Sequence, residues 1–369
     1  MDRRQMLAGL TATTFSATPA IAITSNLPGL VRLIVGTFGH EGGKGTQVVE
    51  TADDSPLRLL AAYSEIDTAS YGVVNQARGR VYVTERNAGR VAAYTVTDGY
   101  KLSPNGAPVP SMATNPCYVS LSPNRTHLAV ANFASDVVAI YTLDSTTGEI
   151  KGEPQVLRSE GNRDNGHAHW VQWSLDGKFI YVVDLGHEEV RSYAWDHTTG
   201  KAGPPQTAFG VATGSGPRHM ALSPEGAFAF LLTEKSGELI ALRREKDGSL
   251  SEIMRVKAKS ESFTGEYAAA HIAINAKGDR VYISERGPDT IRVYAVAKDG
   301  HLTHLQTIAS GGKWPRFFTL LEPETRLIAA NQRSHSLTVF DIQTDGTLKA
   351  TDIRYDVESP VYIDAIWRP

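Results

Sequence analysis

Gly216-Pro217-Arg218-His219-Met220-Ala221-Leu222-Ser223-Pro224-Glu225-Gly226 carries an alternating apolar run into a turn, and relatives of this stretch recur along almost the whole chain. Within Ser223-Pro224-Glu225-Gly226 the proline sets φ and the glycine tolerates a positive φ, so the stretch leads by a tight turn into a second apolar run at residues 228–232. That is a β-hairpin. It returns at residues 115–123, 169–177, 271–278 and 315–320, and in degraded form at 71–74. With Gly79, Arg125, Gly177, Gly226, Gly278 and Glu324 as turn marks, the spacings are 46, 52, 49, 52 and 46 residues. A hairpin repeat of roughly 40 to 50 residues is the period of a four-stranded propeller blade.

Each second strand is followed by a third β-rich run and then by a turn dipeptide: Asp98-Gly99, Thr147-Gly148, Thr199-Gly200, Asp247-Gly248, Asp299-Gly300 and Asp345-Gly346. A fourth strand completes the unit, so strands a to d occur six times. Residues 359–367 read as an isolated a strand, and residues 30–35, 46–50 and 57–63 supply b, c and d. The expected fold is all-β: a seven-bladed propeller over residues 23–369 whose last blade is shared by the N- and C-terminal strands. Such closure leaves no open edge in the ring.

The start, Met1-Asp2-Arg3-Arg4-Gln5-Met6-Leu7, sets two arginines before a weakly apolar run that ends in Ala20-Ile21-Ala22. This describes an export signal of the twin-arginine type over residues 1–22, and it predicts a periplasmic or otherwise exported protein, with the cytoplasm as the alternative. No other segment is long and apolar enough to span a membrane. The formal charge is −3, and −4 without residues 1–22, so there is no basic footprint for nucleic acid. The one cysteine, Cys117, permits no intrachain disulfide and reads as a buried thiol. His40-Glu41-Gly42-Gly43-Lys44-Gly45 lacks a following helix and reads as a hairpin turn rather than a phosphate loop. Asp164, His167, His187 and Glu188 are too scattered for a metal site, and neither metal nor cofactor is expected. The expected ligand is a small molecule and the expected state a monomer.

The a strand lines the central channel of a propeller, so the repeat register selects the residues that face it. Eight positions before each turn mark stand Tyr71, Cys117, His169, Arg218, Ala270 and Arg316; eight after stand Phe133, Leu185, Glu234, Arg286 and Gln332, with Arg86 matched by context. His169, Arg218, Glu234, Arg286 and Arg316 thereby gather into a cationic cleft on an acidic protein, a set suited to an anionic ligand. Paired structural charges are the competing reading. His167 and His219 alternate out of the inward position and read as packing or rim residues, and Trp170, Trp173 and Trp195 as core.

These residues resemble those of the seven-bladed β-propeller lactonases, which include propeller-type 6-phosphogluconolactonase and the carboxymuconate cyclase. The likeness lies in Asn115-Pro116, His167-Ala168-His169, Val183-Asp184-Leu185-Gly186, Gly216-Pro217-Arg218-His219, Thr233-Glu234, Ser284-Glu285-Arg286-Gly287, Trp314-Pro315-Arg316 and Ala330-Asn331-Gln332. The resemblance implies a catalytic cluster of His169, Arg218, Glu234 and Arg286, with Arg316, Gln332 and His167 binding substrate. The implied activity is hydrolysis of a sugar lactone of the 6-phosphogluconolactone kind; a muconate-type cyclase and a partner-binding propeller without activity are the alternatives. His169 is expected to activate water, an ordinary imidazole pKa of about 6.5 being suited to neutral pH. The arginines are expected to hold oxyanion and substrate anion, and Glu234 to orient an arginine or the histidine. Two positions depart from the family pattern: His271 stands where relatives usually carry an acid, and Glu285 where they commonly carry Asn.

Overall fold

The computed structural model describes residues 30–51, 56–162 and 164–367, so the expected export signal at 1–22 lies outside the described residues. Seven antiparallel sheets form the molecule, each with its first repeat strand innermost. Blade 3 runs Ala168–Trp173, Phe179–Asp184, Glu189–Asp196 and Lys201–Gly210, and blade 4 runs Pro217–Leu222, Phe228–Thr233, Glu238–Arg244 and Leu250–Lys257. The inner strands of blades 1, 2, 5 and 6 are Ala69–Asn75, Pro116–Leu121, Ala268–Ile274 and Pro315–Leu321. Blade 7 closes as expected: Pro360–Trp367 pairs antiparallel with Val31–Thr37, in the register Val35 to Ile363 and Leu33 to Ala365. Thr46–Thr51 and Arg58–Tyr63 complete it.

The apolar faces of neighbouring blades meet, so the core is divided among the blade junctions. Blades 2, 3 and 4 share one cluster containing Trp170, Trp173 and Trp195; blades 6, 7 and 1 share another around Val35, Ile328 and Ile363. Polar staples cross these seams. Tyr82 and Tyr282, at matching positions in blades 1 and 5, each donate a hydroxyl to the carbonyl of a turn glycine in the next blade, Gly148 at 2.7 Å and Gly346 at 2.8 Å.

The inner strands are not regular. In blades 1 to 6 the pairing of inner and second strand slips by one residue near its start, at Ser70/Tyr71, Cys117, His169, Arg218, Ala270/His271 and Arg316. A bulged residue is released from the ladder and its side chain is re-aimed. Here the bulges turn two successive side chains toward the channel instead of one.

The second of the pair in blades 1, 2, 4, 5 and 6, together with Tyr362 of blade 7, builds a closed ring of six aromatic side chains across the channel. Going around, Tyr118 stacks on Tyr71 (3.9 Å between centroids), Tyr71 meets Tyr362 (5.2 Å), and Tyr362 meets Phe317 (5.5 Å). Phe317 meets His271 (4.0 Å), His271 meets His219 (5.4 Å), and His219 returns to Tyr118 (5.3 Å). This plug separates two chambers. Tyr71 therefore belongs to the plug and Ser70 to the bulge, one residue from the expected register. The cause is the position of the turn mark: Gly79, the left-handed residue closing the 3-10 turn Gln76–Arg78, stands directly before Arg80, whereas Gly177 stands two residues before Phe179, so counting back from Gly79 lands one residue late.

Candidate active site

A cavity of about 270 Å³ lies on the side of the plug where the inner strands begin. Its lining includes His169, Glu234, Arg286, Arg316 and Gln332, drawn from blades 3 to 6. Arg218 is buried one layer beneath the lining and bonds upward to Glu234. His167 is not brought here. Its Nδ1 bonds to the Phe133 carbonyl at 2.6 Å and its ring lines a separate cavity beside Asp136 and Arg158.

Glu234 forms ion pairs with both neighbouring guanidiniums, Arg218 Nε at 2.8 Å and Arg286 Nη2 at 3.0 Å. Behind them Arg286 donates from Nε to the Ala268 carbonyl at 3.1 Å and from Nη2 to Ala269 at 2.9 Å, while Arg218 Nη1 donates to Ala270. The run Ala268-Ala269-Ala270 thus has a local reason. Its bulge turns carbonyls inward and its methyl side chains leave room for two guanidiniums. Burial alone raises the pKa of Glu234, but the charges of Arg286, Arg218 and Arg316 outweigh it and hold the carboxylate ionised.

Arg316 differs from both. Its guanidinium lies 4.9 Å over the Phe38 ring and makes no ion pair or hydrogen bond among the described residues. Arg86 sits over the same ring at 5.0 Å, with only a long contact to Asn115 Oδ1 at 3.5 Å. Burial and the nearby charges of Arg218, Arg286 and Arg86 press the Arg316 pKa down, the signature of crowded cations lacking a counter-ion. Five guanidiniums gather here, Arg86, Arg286, Arg316 and Arg333 on the lining and Arg218 beneath it, against two carboxylates, Glu234 and Glu41.

His169 is buried, and burial first, then Arg218 and Arg316, lowers its pKa well below the ordinary value. Its imidazole is neutral throughout the physiological range, rather than poised near 6.5. Cys117 also lines the cavity, 4.0 Å from His169 Nδ1, but burial pushes its thiol up to about 12, so it stays protonated. Among the described residues no group of three or more His, Cys, Asp or Glu is placed to hold a metal ion.

Sequence reasoning missed Phe38, Glu41, Trp314, Arg333 and His219. Phe38 follows the second strand of blade 7 as Arg86, Phe133, Glu234 and Gln332 follow theirs, and each amide donates to the chain just before the neighbouring inner strand: Phe38 to Ser359, Arg86 to Thr68, Phe133 to Asn115, Glu234 to Gly216, Gln332 to Trp314. That blade has no turn mark from which to count. Glu41 accepts from Gln332 Nε2 and from Ser359 Oγ at 3.0 Å, tying blade 6 to blade 7 at the rim. Gln332 Oε1 is buried with no hydrogen-bond partner among the described residues. Trp314 holds a left-handed backbone, φ 64°, unusual for so bulky a residue, and packs between Arg286 at 5.5 Å and Arg333 at 3.3 Å. Arg333 is paired with Glu266.

The fold recurs in known proteins. An uncharacterized protein of Staphylococcus aureus is 28% identical over 316 residues, covering 83% of this chain and 91% of its own. The solved structure of the periplasmic gluconolactonase of Pseudomonas aeruginosa superposes with a TM-score of 0.83 at 26% identity, covering 92% of this chain and 100% of that one. A putative 6-phosphogluconolactonase of Bacteroides uniformis gives 0.82 at 23% identity, over 91% and 99% of the two chains, a likeness of fold. Residues 32–365 match the family described as Lactonase, 7-bladed beta-propeller, and the chain belongs to that family.

Proposed function

We propose that this protein is a lactonase that opens a sugar lactone of the gluconolactone or 6-phosphogluconolactone type to its open-chain acid. The observation that carries the reading is the pairing, on one cavity, of a neutral buried imidazole, His169, with an uncompensated guanidinium, Arg316. A volume of about 270 Å³ suits one sugar ring, since sites for drug-sized ligands span about 300–1,000 Å³. The unpartnered Gln332 Oε1 supplies an acceptor for a sugar hydroxyl. Likeness to the periplasmic gluconolactonase of Pseudomonas aeruginosa supports the same substrate class, and an exported protein suits it if residues 1–22 act as the signal.

In this scheme His169 takes a proton from water as the water oxygen attacks the lactone carbonyl. Arg286, fixed by Glu234 and two backbone carbonyls, faces the developing oxyanion, and Arg218 adds positive potential from below. The ring C–O bond then breaks, and the imidazolium returns its proton to the departing alkoxide. The carboxylic acid ionises, and Arg316 with Arg86 holds its carboxylate or a phosphate on the substrate.

A pH-indicator assay on protein lacking residues 1–22, offered δ-gluconolactone and 6-phosphogluconolactone in parallel, tests this. Acceleration over spontaneous hydrolysis is expected with at least one, and His169→Ala should lose on the order of 10²–10⁴ of it. Folded protein that leaves both lactones at the spontaneous rate would overturn the reading.

A further inference from the structure

Beneath the cavity a row of ion pairs and hydrogen bonds runs from Arg286 through Glu234 and Arg218 into the plug. Arg218 Nη1 lies 3.0 Å from His219 Nε2, and His219 Nδ1 lies 3.1 Å from His271 Nδ1. The donor inventory fixes every proton. A guanidinium only donates, so His219 Nε2 must carry a lone pair. The His219 proton is then on Nδ1, where it points at His271. His271 Nδ1 must accept, so its own proton is on Nε2.

We infer that His219 and His271 are a tautomer-locked neutral pair that positions Arg218 for its part at the candidate site. Arg218 is held on two sides: its Nε stands in the ion pair with Glu234, and its Nη1 is taken by Ala270 and His219. Both rings are also members of the aromatic plug, wedged against Tyr118 and Phe317, which fixes their planes. His219 stands between His169 and His271, and the charge of Arg218 acts on all three rings. Burial and that charge lower the pKa of His219 and take His271 down to about 3, in keeping with two uncharged rings. Sequence reasoning set His219 aside because plain strand alternation turns it away from the channel; the bulge at Arg218 turns it back.

What Arg218 does at the site rests on the lactonase reading, but the bonded pair does not, and the test separates them. In protein labelled with ¹⁵N-histidine, with His219→Phe and His271→Phe used for assignment, His219 should give the Nδ1–H pattern and His271 the Nε2–H pattern at pH 7. This spectrum needs no substrate. Any other tautomer, or a charged ring, overturns the pair even if lactones are hydrolysed.

Kinetics then read its purpose. His271→Phe keeps a ring in the plug but removes the acceptor, and it should lower kcat about tenfold with little change in KM, because misplacement of a catalytic group by a fraction of an ångström acts on turnover. His271→Asn places Oδ1 where Nδ1 was and should recover most of the loss. Equal kcat in wild type and His271→Phe, or equal losses in the Phe and Asn variants, would overturn the positioning role. If wild-type protein hydrolyses neither lactone, the lactonase reading fails, and the ¹⁵N spectrum alone decides the pair.

Discussion

At the scale of single residues the sharpest contrast is between two guanidiniums a few positions apart in function. Arg286 is held by a carboxylate and two carbonyls, whereas Arg316 has only the face of Phe38. If Arg316 holds the substrate's anion, Arg316→Gln should cost about 10- to 100-fold in kcat/KM toward 6-phosphogluconolactone, the worth of a charge-assisted bond. The cost toward the uncharged δ-gluconolactone should be much smaller. Equal losses on the two lactones would mean that Arg316 acts on the common reacting centre instead. The lowered pKa of His169 also has a kinetic sign. A base that stays neutral far below its ordinary value keeps kcat/KM level as the pH falls through 6.5, so the acid limb should have its midpoint below that value. A midpoint at 6.5 or above in a pH–rate profile would exclude His169 as the base.

At the scale of elements the blades and the bulges differ in legibility. Ser-Pro-Glu-Gly and its counterparts announce the hairpins because turn chemistry is local, and even the blade shared by both chain ends could be assembled from leftover strands. The bulges are legible only in three dimensions. They hid the inward turn of His219, while the late turn mark at Gly79 displaced Tyr71 by one residue, and the side-chain period of two makes any such slip a change of face. His167 failed for a related reason: its proximity to His169 in sequence says nothing of the Phe133 carbonyl that holds it in another cavity. Where blade 7 meets blade 1 the strands pass so closely that a Cβ on Gly36 would stand 2.1 Å from the Ala69 carbonyl oxygen. Gly36→Ala should therefore destabilise by about 1–3 kcal/mol or more, as overpacking does, and lower the melting temperature. An unchanged melting curve would show that this seam can spread.

At the scale of the whole molecule, three buried neutral histidines, His169, His219 and His271, make the ring acid-sensitive. Each has a folded-state pKa below its unfolded value, so the unfolded chain binds more protons as the pH falls below about 6.5, and stability present above that pH is progressively lost. Each such group contributes a slope of up to about 1.4 kcal/mol per pH unit, so the three together approach about 4 between roughly pH 6 and 5. Urea unfolding across that window should find this slope in wild type and a shallower one, by about one proton, in His271→Phe. Ring closure sets the other global dependence. Removing residues 360–367 would leave Val31–Thr37 as an unpaired edge beside the channel, and the truncated chain should self-associate, as sedimentation would detect.

The aromatic plug makes the candidate site a room with one door. Tyr118, Tyr71, Tyr362, Phe317, His271 and His219 close the far end, so whatever enters past Phe38 and Trp314 must back out by the same threshold. On the lactonase reading, substrate and product would share a single passage, and an anion made inside would leave against the pull of the guanidiniums around it. In such a vestibule the pace of turnover belongs to departure as much as to bond breaking, and gluconate added from outside should compete with the lactone for the doorway.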